Sequence, residues 1–300
     1  MKDILSHISF LNRNKCLSFK SFVIAVLRNR YIRRANVRDF RSLPWIQALR
    51  FTAAGMTTLI AVFILFTFSE LQAQEPTGKE ILNRIDRNMS SETRIFKSKM
   101  IIHGRRGTRN VLSKSWLEGE RKSFTEFLAP PREKGTKMLK LENHLWMYAP
   151  STDRTIQISG HMLRQSLMGS DLSYEDMMED SKLYDNYQAD VMGTEIIDER
   201  SCWIVQLTAK NKDIAYHSRR LWVDKERNIP LREELFAKSG TLLKETELKN
   251  IEQIDGRWFP KRIIFKDMLK KGGGTEFVIE EIEFNAPIPP HVFSKAGLKR

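Results

Sequence analysis

Four carboxylates, Glu175, Asp176, Glu179 and Asp180, fall within six residues of one another. On a helix such a cluster could offer a paired acid and base for proton transfer. The same residues have a plainer reading. Ser173 followed by Asp176 is a capping-box pattern, and acidic side chains in a first turn complement the helix dipole. Nothing else in the chain supplies a reaction. There is no G-x-S-x-G elbow, H-E-x-x-H pair, phosphate loop or dinucleotide fingerprint. His103, His144, His161, His217 and His291 are scattered, without metal-ligand spacing to another His or Cys. Cys16 and Cys202 are the two cysteines. A thiolate metal site is therefore excluded, and so is a disulfide within the part after residue 73. The expectation is a protein that is not an enzyme and takes no cofactor or metal.

The carboxylates sit in MGSDLSYEDMMED, residues 168–180, preceded by HMLRQSL. Gly169 permits a sharp exit from the preceding segment, and Tyr174, Met177, Met178 and Leu183 then share an apolar side. Upstream, Met162, Leu163, Leu167 and Met168 add to it. Methionine side chains are unbranched and polarizable and repack around irregular apolar partners. Two readings stand: a helical plug over one end of a sheet, or an adjustable cover over an acyl-chain site.

The surrounding chain reads as strands. Lys79–Met89 places Ile81, Leu82, Ile85 and Met89 at helical spacing, giving a short amphipathic helix. The period then falls to two. In residues 94–103, Phe96, Met100 and Ile102 share one face. About eleven or twelve such segments follow, separated by turn chemistry such as Asp255-Gly256 and Gly272-Gly273-Gly274, with no βαβ alternation. The class is mainly β with a few helices, either curled into a barrel or capped on its open side. Trp116, Phe124, Trp146 and Tyr148 lie on these strands and are candidates for a groove wall if the barrel is open.

The net charge is +13, but residues 1–50 hold eleven Lys or Arg against Asp3 and Asp39. Most of the excess therefore belongs to a leader, and nucleic-acid binding is not expected. Residues 51–69 form an uncharged apolar run ahead of Glu70 and LQA at 71–73. This reads as a signal peptide cleaved after Ala73, with a retained anchor as the alternative. Residues 1–73 are thus leader, residues 74–300 are the exported domain, and the expected location is the periplasm.

The run LWMYAPSTDRTIQISGHMLRQSLMGSDLSYEDM, with LWVDKERNIPLREELFAKSGTLLKETELKNIEQIDGRWFPKRI further on, resembles the outer membrane lipoprotein-sorting family, a LolA-like group. The resemblance covers most of residues 80–295. It implies a strongly curved antiparallel sheet forming an unclosed barrel, with helices across its mouth and a cavity for acyl chains. It implies a carrier of lipoprotein acyl chains or other lipids, served by an inner-membrane transporter and an outer-membrane acceptor. A non-catalytic adaptor of a membrane transporter, tethered by an uncleaved N-terminal helix, is the alternative. On the carrier reading Met162, Leu163, Leu167, Met168, Tyr174, Met177 and Met178 form the cover, with Trp116, Phe124, Trp146 and Tyr148 as wall.

Overall fold

The computed structural model describes residues 75–105, 107–179, 182–212 and 214–299. The apolar run at 51–69 and the cut expected after Ala73 lie outside them. Among the described residues no helix is long and apolar enough to cross a membrane.

Helix α1 (Gly78–Met89) comes first. Its start is set by a reciprocal capping box, with Thr77 N donating to Glu80 Oε2 at 2.8 Å and Glu80 N to Thr77 Oγ1 at 3.3 Å. Ile81, Leu82 and Ile85 recur at helical spacing, and all three pack against Trp203, Val205, Leu207 and Leu221. Gly78 is required where the helix meets the sheet, because a Cβ there would lie 2.4 Å from the Ala189 carbonyl oxygen.

Thirteen strands make one sheet: β1 (Thr93–Gly104), β2 (Gly107–Glu118), β3 (Lys122–Ala129), β4 (Lys137–Leu141), β5 (His144–Ala149), β6 (Arg154–Ile158), β7 (Tyr187–Ile197), β8 (Arg200–Ala209), β9 (Ser218–Asp224), β10 (Pro230–Phe236), β11 (Leu242–Ile254), β12 (Arg257–Asp267) and β13 (Gly274–Phe284). The spatial order is β6-β5-β4-β3-β2-β1-β13-β12-β11-β10-β9-β8-β7. Two antiparallel meanders therefore run outward from the β1–β13 pair and leave β6 and β7 as edges. The barrel is unclosed, as expected, but has thirteen strands among the described residues rather than eleven or twelve. The extra strand is β6, RTIQI, whose first four residues are all exposed and so give no apolar alternation.

Register carries each face across the sheet. On the inner face Met100 lies opposite Val111 and Phe277, Ser113 opposite Phe127, Thr125 opposite Met138, and Met138 opposite Met147. On the outer face Trp116, Phe124, Leu139 and Trp146 form a second row. The C-terminal segment folds back over that row through turns at Pro290–Phe293 and Lys295–Lys299, seating Phe293 and Leu298 beside Phe124 and Leu139.

Candidate functional site: the cover between the edge strands

Residues 159–186 leave one edge strand, β6, and return as the other, β7. The segment contains 3-10 turns at Gly160–Arg164 and Leu167–Gly169, then α2 (Tyr174–Met178) and α3 (Leu183–Asn186). It is folded on itself by a bridge between Ser166 and Ser173, with Leu167 N donating to Leu172 O at 2.8 Å.

Its apolar side enters the inner face of the first meander. Leu167 and Tyr174 are buried with Met100, Ile102, Val111, Phe127, Met138 and Leu145. Met162, Leu163, Met168, Met177 and Met178 pack against the same cluster, as does Met147 of β5. All seven residues assigned to the cover from the sequence are therefore brought together. The four wall aromatics are not. Trp116, Phe124, Trp146 and Tyr148 pack with Phe293 and Leu298 on the outer face, so the surface that residues 162–178 pack on is built from β1–β5 residues of the opposite parity. Leu183 is also elsewhere, buried with Ile81, Ile85 and Trp203 beside α1.

The inner face is not uniformly apolar. Ser98 and Ser113 share a buried hydrogen bond at 3.0 Å, and Ser115 and Thr125 another at 2.9 Å. Paired hydroxyls of this kind are satisfied and cost little to bury. Lys140, also buried, donates from Nζ to Met178 O at 2.9 Å at the C-terminal end of α2, and to Glu120 O at 2.9 Å.

The string that stands out in the sequence is largely a set of anchors. Met168 takes a left-handed conformation at φ 48°, and its carbonyl accepts a hydrogen bond from the Arg109 guanidinium of β2. Gly169 follows at φ +72°, where a Cβ would stand 3.2 Å from Arg109 Nη2. Asp171 accepts from Thr275 Oγ1 at 2.6 Å and from Asp267 N at 3.1 Å, tying the segment to β12 and β13. Ser173 and Asp176 form the expected capping box, with Ser173 N donating to Asp176 Oδ2 at 2.6 Å and Asp176 N to Ser173 Oγ at 3.2 Å.

Asp176 and Glu179 then reach across to the second meander. Asp176 receives the Lys244 ammonium of β11 and the Tyr216 hydroxyl, the latter at 2.5 Å. Glu179 receives the Arg219 guanidinium of β9. Arg219 also donates from Nε to the Tyr187 hydroxyl at 3.0 Å, and that hydroxyl donates to Tyr216 O at 3.0 Å. Burial alone would raise the Asp176 carboxyl, but Lys244, with the Ser173 and Tyr216 hydrogen bonds, holds it below the ordinary carboxylate range. Burial pushes the Tyr187 hydroxyl up to about 12. It also raises Tyr216, and the adjoining Asp176 charge raises it further. Two of the carboxylates considered for proton transfer, Asp176 and Glu179, are thus held by fixed partners, and their geometry is that of a latch. The signal that could have found its far side is the parity of charge. Arg219 alternates with Leu221 and Val223, and Lys244 with Thr246 and Leu248, so both point inward from strands that otherwise bury apolar residues there.

A cleft of about 700 Å³ lies near the start of β1, where Ser91, Glu120, Lys182 and Arg257 contribute to a polar lining. None of the apolar cover residues lines it. Among the described residues no group of three His, Cys, Asp or Glu is placed to hold a metal ion.

An unclosed antiparallel sheet whose interior is crossed by short helices is the LolA-like fold. It is shared with three solved structures. A DUF1329 family protein from Desulfovibrio piger superposes with a TM-score of 0.68 at 24% identity, covering 74% of this chain and 97% of its own. An outer membrane lipoprotein-sorting protein domain from Vibrio parahaemolyticus gives 0.66 at 25% identity, covering 74% and 98%. A LolA superfamily protein from Nitrosomonas europaea gives 0.63 at 23% identity, covering 74% and 99%. The resemblance read from the sequence is borne out. No curated protein matches the sequence. The chain belongs to the family described as "Uncharacterized protein"-like, whose model matches residues 119–300.

Proposed function

We propose that this chain is an exported, non-enzymatic carrier that accepts acyl chains of lipoproteins or other lipids on the inner face of the sheet. The observation that carries the reading is the seating of the methionine-rich cover. Its apolar side chains pack on the inner face of the first meander, and polar anchors hold it there. A ligand would enter by taking the place of Leu167, Tyr174, Met177 and Met178 against Met100, Val111, Phe127, Met138 and Met147. The fold shared with the Vibrio lipoprotein-sorting domain and the Nitrosomonas LolA superfamily protein supports the same reading. So do the apolar run at 51–69 and the small residue at Ala73, which favour export to the periplasm.

The physical requirement is reciprocal. Removing a chain of about fourteen carbons from water is worth roughly 11 kcal/mol at about 0.8 kcal/mol per CH₂. An apolar host is needed to move such a chain, yet one of perfect complementarity would release it too slowly. A cover that refills the same surface on departure reduces the net affinity and so favours release. On this reading the donor is an inner-membrane transporter and the acceptor lies at the outer membrane. The test is extraction of the purified protein followed by mass spectrometry of bound lipid, with titration of the delipidated protein by a fluorescent fatty acyl probe. Co-purified lipid and saturable probe binding are expected. Delipidated protein that fails to bind the probe would reject the reading.

A further inference from the structure

The meander alternates its turns between two ends, and the two ends differ in charge. At the end reached by the close of β1 lie the turns 104–107, 130–136, 150–153, 210–217, 237–241 and 268–273. At the other lie 119–121, 142–143, 198–199, 225–229 and 255–256. The second set exposes Glu142, Asp198, Glu199, Glu226 and Asp255, against the one exposed cation Arg121 among its described residues. The first exposes Arg105, Arg132, Lys134, Lys238 and Lys271. Among its described acids Glu133 lies 3.6 Å from Arg109 and Asp267 lies 3.2 Å from Lys270, while the exposed Asp153 lies 3.8 Å from Lys299.

Three of the basic turns adjoin one another. Gly273 N donates to His103 O at 2.9 Å, joining the β12–β13 hairpin to the β1–β2 hairpin, and the Arg109–Glu133 pair joins the latter to the β3–β4 loop. At the tip of the β12–β13 hairpin two apolar side chains face solvent, Met268 at 39% and Leu269 at 71% exposure. Apolar side chains projecting from a basic rim have the chemistry of a membrane-surface contact, because anionic headgroups attract the cations while the interface takes up the apolar tip. The same hairpin holds the cover, since Lys270 Nζ donates to Ser166 Oγ at 2.5 Å and to Ser170 O at 2.8 Å.

We propose that this end of the sheet docks on an anionic lipid bilayer, with Leu269 and Met268 entering the headgroup region and Arg105, Arg132 and Lys271 facing lipid phosphates. The site is separate from the acyl-binding face and goes beyond the carrier reading, and its test reads no acyl binding.

The full chain is used with Cys16→Ser, leaving Cys202 buried, and Leu269→Cys carries an environment-sensitive nitrobenzoxadiazole fluorophore. Vesicles of phosphatidylcholine containing phosphatidylglycerol should shift its emission to the blue, whereas phosphatidylcholine alone should not. The same fluorophore at Asp255→Cys, on the acidic end, should stay unchanged. Combining Arg105→Glu, Arg132→Glu and Lys271→Glu should raise the lipid concentration needed for the shift on the order of 100-fold. These positions are exposed, so circular dichroism should be unaltered. No shift at position 269, equal shifts at 269 and 255, or a shift indifferent to lipid charge would overturn the proposal. A shift that appears only with an added protein partner would also overturn it, assigning the end to a protein contact.

Discussion

Asp176, on the cover, and Lys244, on β11, form a buried ion pair that joins the methionine-rich segment to the meander opposite the one it packs against. Side-chain exposure is 14% for Asp176 and 11% for Lys244, so the pair is poorly screened. Removing one member leaves the other charge buried without its partner. Lys244→Met should therefore destabilise the closed cover by about 3 kcal/mol. Hydrogen exchange should read this as faster exchange at residues 174–179, with α1 unchanged. Equal acceleration in α1 would mean that the pair supports the whole fold rather than the cover.

Acid should release the same latch. The folded pKa of Asp176 is depressed below its ordinary value of 3.8. Its stabilisation is fully present above that value and lost as pH falls through the lower folded one. Glu233 works in the opposite sense, because burial raises its pKa and its protonation on acidification relieves a cost. Limited pepsin digestion should cut residues 174–186 in the wild type only below about pH 4. In Asp176→Asn cutting should already occur above it. Superimposable digestion profiles would contradict the role of Asp176.

Gly169→Ala should loosen the first anchor. The residue is at φ +72°, and its Cβ would press on Arg109 Nη2. The expected loss is about 1–2 kcal/mol, measurable by urea denaturation. Gly240→Ala, at φ +82° with no atom near its Cβ, serves as the control for backbone strain alone and should lose less.

Phe293→Ala separates the two faces of the sheet. Phe293 is buried against Phe124 and Leu139 on the outer side, and its truncation should cost about 3 kcal/mol. Binding of a fluorescent acyl probe at a temperature where the variant is folded should be unchanged. Loss of binding would place Trp116, Phe124, Trp146 and Tyr148 in the ligand wall after all.

What could be read from the sequence follows what is local in it. The spacing of Ile81, Leu82 and Ile85 gives α1, period-two alternation gives twelve of the strands, and Ser173 with Asp176 gives the start of α2. The grouping of the side chains proposed as a cover was also legible, because eight apolar side chains fall within seventeen residues, 162–178, and collapse onto one cluster. Strand β6 was hidden because an exposed edge has no buried parity to display. The side of the aromatic row was hidden for a different reason. Both faces of β2–β5 are covered, one by residues 159–179 and the other by residues 286–299, so alternation marks two apolar faces without saying which lies inside. The inward parity of Arg219 and Lys244 marks one side of the anchors, but their pairing was out of reach because the partners are distant in the chain, 59 residues for Arg109 and Met168 and 68 for Asp176 and Lys244.

The central claim is that acyl chains and the cover compete for one surface. Asp171 and Thr275 touch at 2.6 Å between the cover and β13, so Asp171→Cys with Thr275→Cys, in a Cys16→Ser background, should form a disulfide that pins the cover shut. The most direct measurement is fluorescent acyl-probe titration of this delipidated variant, oxidised and then reduced. The account predicts no saturable binding while the disulfide is intact and recovery on reduction. Equal affinity in both states, with the disulfide verified, would show that the probe binds without displacing the cover and would contradict the account.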